Sequence, residues 1–154
     1  MEFYPSNALV AAGNSSGPSH VLQNREDWRL ARGAYRELEI AGMPRTNLLL
    51  VGSAGTIRIL MEMLWLELRE PIVTWRPGET LELPDNHVGT LVLHDVDALA
   101  PMDQERLLAW LNKASRQTRV VSTASVPLWR RVKAGAFSDV LYYRLNSVSA
   151  GVVV

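Results

Sequence analysis

The sequence predicts an α/β domain in which a parallel sheet is covered on both faces by helices, a three-layer α/β/α arrangement. Three observations predict it. Short apolar runs such as NLLLV and TLVL show no polar alternation, as in strands buried on both faces. These runs alternate with longer segments of helical period. The chain has 154 residues, 47% apolar and 21% charged, enough for one core without cross-links.

Residues 1–19 hold Pro5, Gly13, Gly17 and Pro18 among several Ser and Asn; they read as a mobile arm with a short apolar patch at Ala8–Ala12. Residues 20–154 read as the domain. Over 25–42, Trp28, Ala31, Tyr35 and Leu38 recur at helical steps, and Gly42 and Pro44 end the helix. NLLLVG (47–52) is a strand, and after a glycine turn IRILMEMLWLELRE (57–70) is a helix, nearly apolar all round. PIVTW (71–75) and TLVLHD (90–95) are strands. MDQERLLAWLNKAS (102–115) is an amphipathic helix with Leu107, Leu108 and Leu111 on one face and acids in its first turn, where the helix dipole favours them. Trp110 falls away from that face and Trp129 lies beside Arg130–Arg131; both are candidates for an interface as well as for packing. TRVVST (118–123) is a strand, 126–135 and 138–146 are short helices, and 147–154 is a terminal strand.

Composition narrows the function. Sixteen Lys and Arg balance sixteen Asp and Glu, and the pairs Arg130–Arg131 and Arg116/Arg119 are too small for a nucleic-acid face, so no direct DNA binding is expected. No apolar run reaches the ~20 residues of a membrane span. The absence of cysteine removes disulfides, cysteine nucleophiles and thiolate metal sites, and fits a cytoplasmic protein. The start carries Glu2 and no basic segment, so it does not read as a signal peptide, and the sequon at Asn14 then has no meaning.

In open parallel sheets ligands bind beyond the C-terminal strand ends. Here those ends carry Gly52-Ser53-Ala54-Gly55-Thr56, His94-Asp95-Val96-Asp97 and Ser122-Thr123-Ala124-Ser125. A glycine turn leading into a helix is a ready phosphate cradle. NLLLVGSAG has no acid at its strand end, which rejects a phospho-receiver domain. Adjacent strand residues point to opposite faces, so His94 and Asp95 share neither a metal ion nor a Ser/His/Asp triad; Asp95 and Asp97 are weak metal candidates.

Together these positions resemble the AAA+ ATPase domain of sigma-54-dependent transcription activators, over roughly residues 45–148. GTLVLHDVDALAPMDQERLLAWLN resembles that family's G-T-L-F-L-D-E-I…L-P…Q-x-x-L-L-x-x-L segment. RVVSTASVPL is similar to R-x-I-A-A-T-N-x-x-L, and AGAFSDVLYYRLN to G-x-F-R-E-D-L-Y-Y-R-L-N. The resemblance implies a P-loop NTPase fold, bacterial transcription regulation, and ATP or ADP at Gly52, Ser53, Ala54, Gly55, Thr56 and Arg58.

The departures from the family pattern fall on its chemistry. The family's phosphate loop, G-x-x-G-x-G-K-[E/ST], places its third glycine on Ile57, its lysine on Arg58 and the following residue on Ile59. A β-branched side chain crowds the backbone approach to phosphate, arginine is no substitute for a compact ammonium, and Ile offers Mg²⁺ no oxygen. The Asp-Glu pair falls on His94-Asp95, the sensor Asn on Ser125 and one subunit-crossing Arg on Ser138; Arg144 retains the other. About forty residues span the gap that in the family holds a G-A-F-T-G-A loop contacting the sigma factor, and the helical lid and helix-turn-helix have no counterpart. The expectation is a pseudo-ATPase core that acts by protein contact, with a full-length activator or itself as partner, no cofactor, and Asp95 and Arg144 as residual catalytic candidates. The alternative is an ATP-binding domain with little or no hydrolysis.

Overall fold

The structure, a computed structural model, describes residues 18–40, 47–85, 89–113, 118–146 and 148–151. Nearly all of the expected arm lies outside these residues, as do Gly42, Pro44 and Arg116. The elements in chain order are α1 (Pro18–Ile40), β1 (Leu48–Val51), α2 (Ala54–Trp65), β2 (Ile72–Trp75), β3 (Gly89–Leu93), a 3-10 turn (Val96–Ala98), α3 (Pro101–Lys113), β4 (Thr118–Ala124), α4 (Leu128–Lys133), α5 (Asp139–Leu145) and β5 (Val148–Gly151).

The five strands are parallel in the order β2-β3-β4-β1-β5, with Leu48 beside Val121 on one side and Val148 on the other. Alternation along each strand splits the core in two. Leu48, Leu50, Val92 and Val121 face α1 and α2, packing on Ala31, Ala34, Leu38, Ile59, Leu60 and Leu64. Leu49, Leu91, Leu93 and Val120 face the other side, against Leu107, Leu111, Leu128, Leu141 and Leu145. The expected three-layer α/β/α sandwich is therefore present. Each fully buried leucine contributes roughly 1.5–3 kcal/mol.

Two differences from the sequence reading matter for the site. Helix α2 starts at Ala54, three residues before the expected Ile57, because Ser53 is an N-cap: its backbone is extended and its hydroxyl accepts from the Thr56 N–H. Strand β3 ends at Leu93, two residues before the expected Asp95. Trp110 is core, 8% exposed, and its indole donates to the Pro84 carbonyl at 2.8 Å, so it is no interface residue. Trp28, read as part of the helix's apolar stripe, is 38% exposed; the buried seam of α1 runs one step round, through Ala31, Ala34 and Leu38.

The order of the strands locates the site. After β1 the chain crosses the face of α2 toward β2; after β4 it crosses the opposite face toward β5. Neighbouring β1 and β4 thus lead in opposite directions, which opens a crevice beyond their C-terminal ends. The Gly52 N–H donates to the Ala124 carbonyl at 3.2 Å and fixes the floor of that crevice.

Candidate functional site

The glycine turn leaves β1 at Gly52 and becomes the first turn of α2 by Ala54. A helix start leaves its first N–H groups unpaired and carries partial positive charge, which favours an anion. Beside that first turn stands the carboxylate of Asp27 of α1, held by hydroxyls. The Thr56 hydroxyl donates to Asp27 Oδ1 at 2.8 Å. The Ser53 hydroxyl lies 3.1 Å from the same oxygen and 2.9 Å from Thr56 Oγ1, so its one proton serves either acceptor. Gly55 is where the carboxylate rests: a Cβ there would overlap Asp27 Oδ2 and lie 3.0 Å from Cγ. Thr56 is fully buried and Ala54 is exposed.

The other loop residues point elsewhere. Arg58 is exposed and runs along α2 to Glu62, 3.5 Å away. A surface i,i+4 pair of this kind is worth about 0.3–0.5 kcal/mol. Ile59 is 1% exposed in the core beneath the sheet, and Ile57 packs against the same cluster. All three side chains serve the helix rather than the turn.

At the end of β3, His94 and Asp95 lie in a turn, so the strand alternation expected to separate them does not apply. Asp95 is exposed and left-handed, with φ 48°, and its N–H donates to Thr123 Oγ1 at 3.1 Å. Asp and Asn tolerate this conformation better than most side chains. Asp97 is half-buried, with Oδ2 3.9 Å from Arg131 Nη2 of α4. Among the described residues, no three His, Asp or Glu side chains come together as a set that could hold a metal ion. Ser125 stands exposed at the end of β4.

His94 is half-buried, and its Nε2 has no hydrogen-bond partner among the described residues. Burial, with Arg76 adding to it, holds its pKa below the ordinary value of 6.5, against the opposite pull of Asp95 and Glu79. The unfolded chain therefore takes up this proton first, and stability should fall as the pH drops below 6.5. Urea titrations from neutral to mildly acidic pH should show that decline, weakened in His94→Gln. An unchanged profile in the variant would remove His94 as the cause.

Ser138 and Arg144, both carried over as subunit-crossing positions, are tied within the chain. Ser138 is the N-cap of α5, accepting from the Leu141 N–H at 3.2 Å. Arg144 donates to the Leu111 carbonyl at 2.9 Å and to Asn112 Oδ1 at 2.8 Å, closing the last turn of α3 where a cation suits the helix dipole. Gln104, which the sequence marked only as part of a pattern, joins these pieces. Its Nε2 donates to the carbonyls of Leu99 and Ala136 at 2.9 and 3.1 Å, and its Oε1 accepts from the Ser138 N–H at 2.9 Å.

The residue that sequence reasoning missed is Asp27. The faint signal for it was its spacing, four residues before Ala31 and seven before Ala34, on the seam that α1 turns toward α2.

Comparison with known proteins places the fold. A family model described as the sigma-54 interaction domain matches residues 34–152. No curated protein matches the sequence. Among solved structures, NtrX from Brucella abortus in complex with ATP is similar with a TM-score of 0.62 at 17% identity, over 88% of this chain and 39% of that one. The same protein in complex with ADP gives 0.59 at 17% identity, over 87% and 39%. The P-loop NTPase domain of the sigma-54 transport activator from E. coli gives 0.53 at 20% identity, over 71% of this chain and 98% of that one. The chain thus spans well under half the length of the NtrX chains, and at these identities the likeness establishes the P-loop NTPase fold.

Proposed function

The chain belongs to the sigma-54 interaction domain family, and from that premise we propose that it is a non-catalytic AAA+ core that acts in bacterial transcription regulation through protein contact. The observation that carries this reading is the fate of the loop cation. Arg58 follows the helix to Glu62, away from the turn where a phosphate-binding side chain would be needed. His94 and Asp95 add to it, since neither their turn nor their chemistry offers the paired oxygens that Mg²⁺ and an attacking water require.

The contact surface we assign is α4. Trp129 is 44% exposed, with Lys133 Nζ 4.5 Å and Arg130 Cζ 5.8 Å from its ring, and Val126 is exposed beside it. An aromatic anchor framed by cations is the composition of an interface centre. The partner is a full-length sigma-54 activator or a second copy of this chain. Tagged protein should capture such an activator from solution or self-associate, and Trp129→Ala should weaken the contact about thirtyfold, the effect of removing a hot-spot aromatic, with no change in melting temperature. Recovery of the bare protein alone, monomeric at high concentration, would count against the reading.

A second reading is a nucleotide-binding domain without hydrolysis. It draws on the Ser53–Thr56 turn and on the NtrX structure solved with ATP. A saturable thermal shift with ATP or ADP, about 2.7 kcal/mol of stabilisation at a hundredfold excess over Kd, would establish it over the first.

A further inference from the structure

We propose that Asp27 is the resident anion of the glycine turn: α1 holds its own carboxylate against the first turn of α2, so that docking of α1 and binding of a phosphate-bearing ligand at this turn exclude one another. The inference goes beyond the function proposed above and stands whichever protein the core contacts.

Three independent features converge on it. The first is the donor set. Asp27 Oδ1 engages the hydroxyls of Ser53 and Thr56 at 3.1 and 2.8 Å, groups a phosphate on this turn would use. The second is the space. The carboxylate lies against the Gly55 backbone so closely that any Cβ there would strike it, so the close approach that a glycine turn gives to phosphate is already used. The third is charge. The first turn of α2 has no acidic residue of its own, and among the described residues no Lys or Arg forms an ion pair with Asp27. The helix start is left to balance the carboxylate.

The placement follows from how α1 packs. Asp27, Ala31, Ala34 and Leu38 recur along one side of α1, and the last three are buried against α2 and the sheet. Small residues bring the two helices close, and the seam's first position then meets the first turn of α2 beside Gly55. A second anion would have to sit within a few ångströms of Asp27, where like charges repel, or would have to displace α1.

The test combines two substitutions and one probe on the full chain. Gly55→Ala should lower the melting temperature of the natural protein, because its methyl evicts the carboxylate. In an Asp27→Ala background the same change should be neutral or stabilising, since alanine is the better helix former. Inorganic pyrophosphate, titrated by calorimetry, should not bind the natural protein saturably, and should bind Asp27→Ala at least about tenfold more tightly, because a neighbouring like charge is gone. Asp27→Asn, which keeps the shape and loses the charge, serves the same titration if the alanine variant does not fold. Equal cost of Gly55→Ala in both backgrounds, or equal pyrophosphate binding with and without the Asp27 charge, would overturn the proposal.

Discussion

Gln104→Leu is expected to destabilise the domain by about 3 kcal/mol, although the side chains are similar in size and the site is buried. The reason is the number of groups left without a partner. The amide satisfies the Leu99 carbonyl, the Ala136 carbonyl and the Ser138 N–H at once. Ala136 is exposed and its carbonyl has water as a substitute. Leu99 is 4% exposed and Ser138 half-buried, so those two groups carry most of the loss, at about 1–3 kcal/mol each, against a small gain from the added apolar surface. In a domain of this size the melting temperature should fall by about 10 °C. Because Ser138 caps α5 and Arg144 of α5 closes α3, the loss should spread through both helices. Gln104→Glu should be worse, since it keeps one acceptor and sets a negative charge against two carbonyls. A loss within about 0.5 kcal/mol for Gln104→Leu, the range of an ordinary surface change, would show that water replaces the amide and that the bridge is not structural.

That bridge explains why the recognisable segments of this sequence are where they are. DQERLL, AGAFSD and YYRLN read as motifs in order, but they are also the parts that hold one face of the sandwich together through Gln104, Ser138 and Arg144. The sheet and its two layers were legible because buried parallel strands are unmistakably apolar and their helices keep a helical period. Element ends were less so: Ser53 begins α2 earlier than apolar period alone suggests, because a cap works through one hydroxyl. Asp27 was barely legible, through its spacing alone. Its partners lie 26 and 29 residues away, and a charged residue on a helix ordinarily marks the solvent side. Only the packing angle of α1, one step round from the Trp28–Tyr35 stripe, turns that position inward. Trp110, which the sequence left between an interface and packing, is packed: a tryptophan off the leucine face found cover in the Pro84 segment, which no helical period describes.

Installing the phosphate-loop pattern of the family by Ile57→Gly, Arg58→Lys and Ile59→Thr together is expected to cost about 4 kcal/mol, from the lost packing and helix propensity. The arginine contributes least, since its exposed pair with Glu62 is weak and lysine keeps the charge. Ile59 is 1% exposed among Leu60, Leu64 and Val92, so threonine there loses apolar volume and buries a hydroxyl, a loss of about 2 kcal/mol. Ile57 packs on the same cluster, and glycine in that helical position gives up both the packing and about 1 kcal/mol of helix propensity. The changes are neighbours, so their sum is approximate. Against a typical stability of about 5–15 kcal/mol, such a loss is a large fraction of the whole. Urea denaturation measures it directly. The same variant should gain no saturable ATP binding while Asp27 remains on the turn, and should gain it only when Asp27→Ala is added. If the triple variant is as stable as the natural chain, Ile57 and Ile59 do not carry the packing assigned to them. If it binds ATP with Asp27 in place, the carboxylate is no barrier and the loop sequence alone decides. The two effects follow from the geometry: Ile57 and Ile59 pack in the core beneath the sheet, and the hydroxyls of the turn are held by Asp27 of α1.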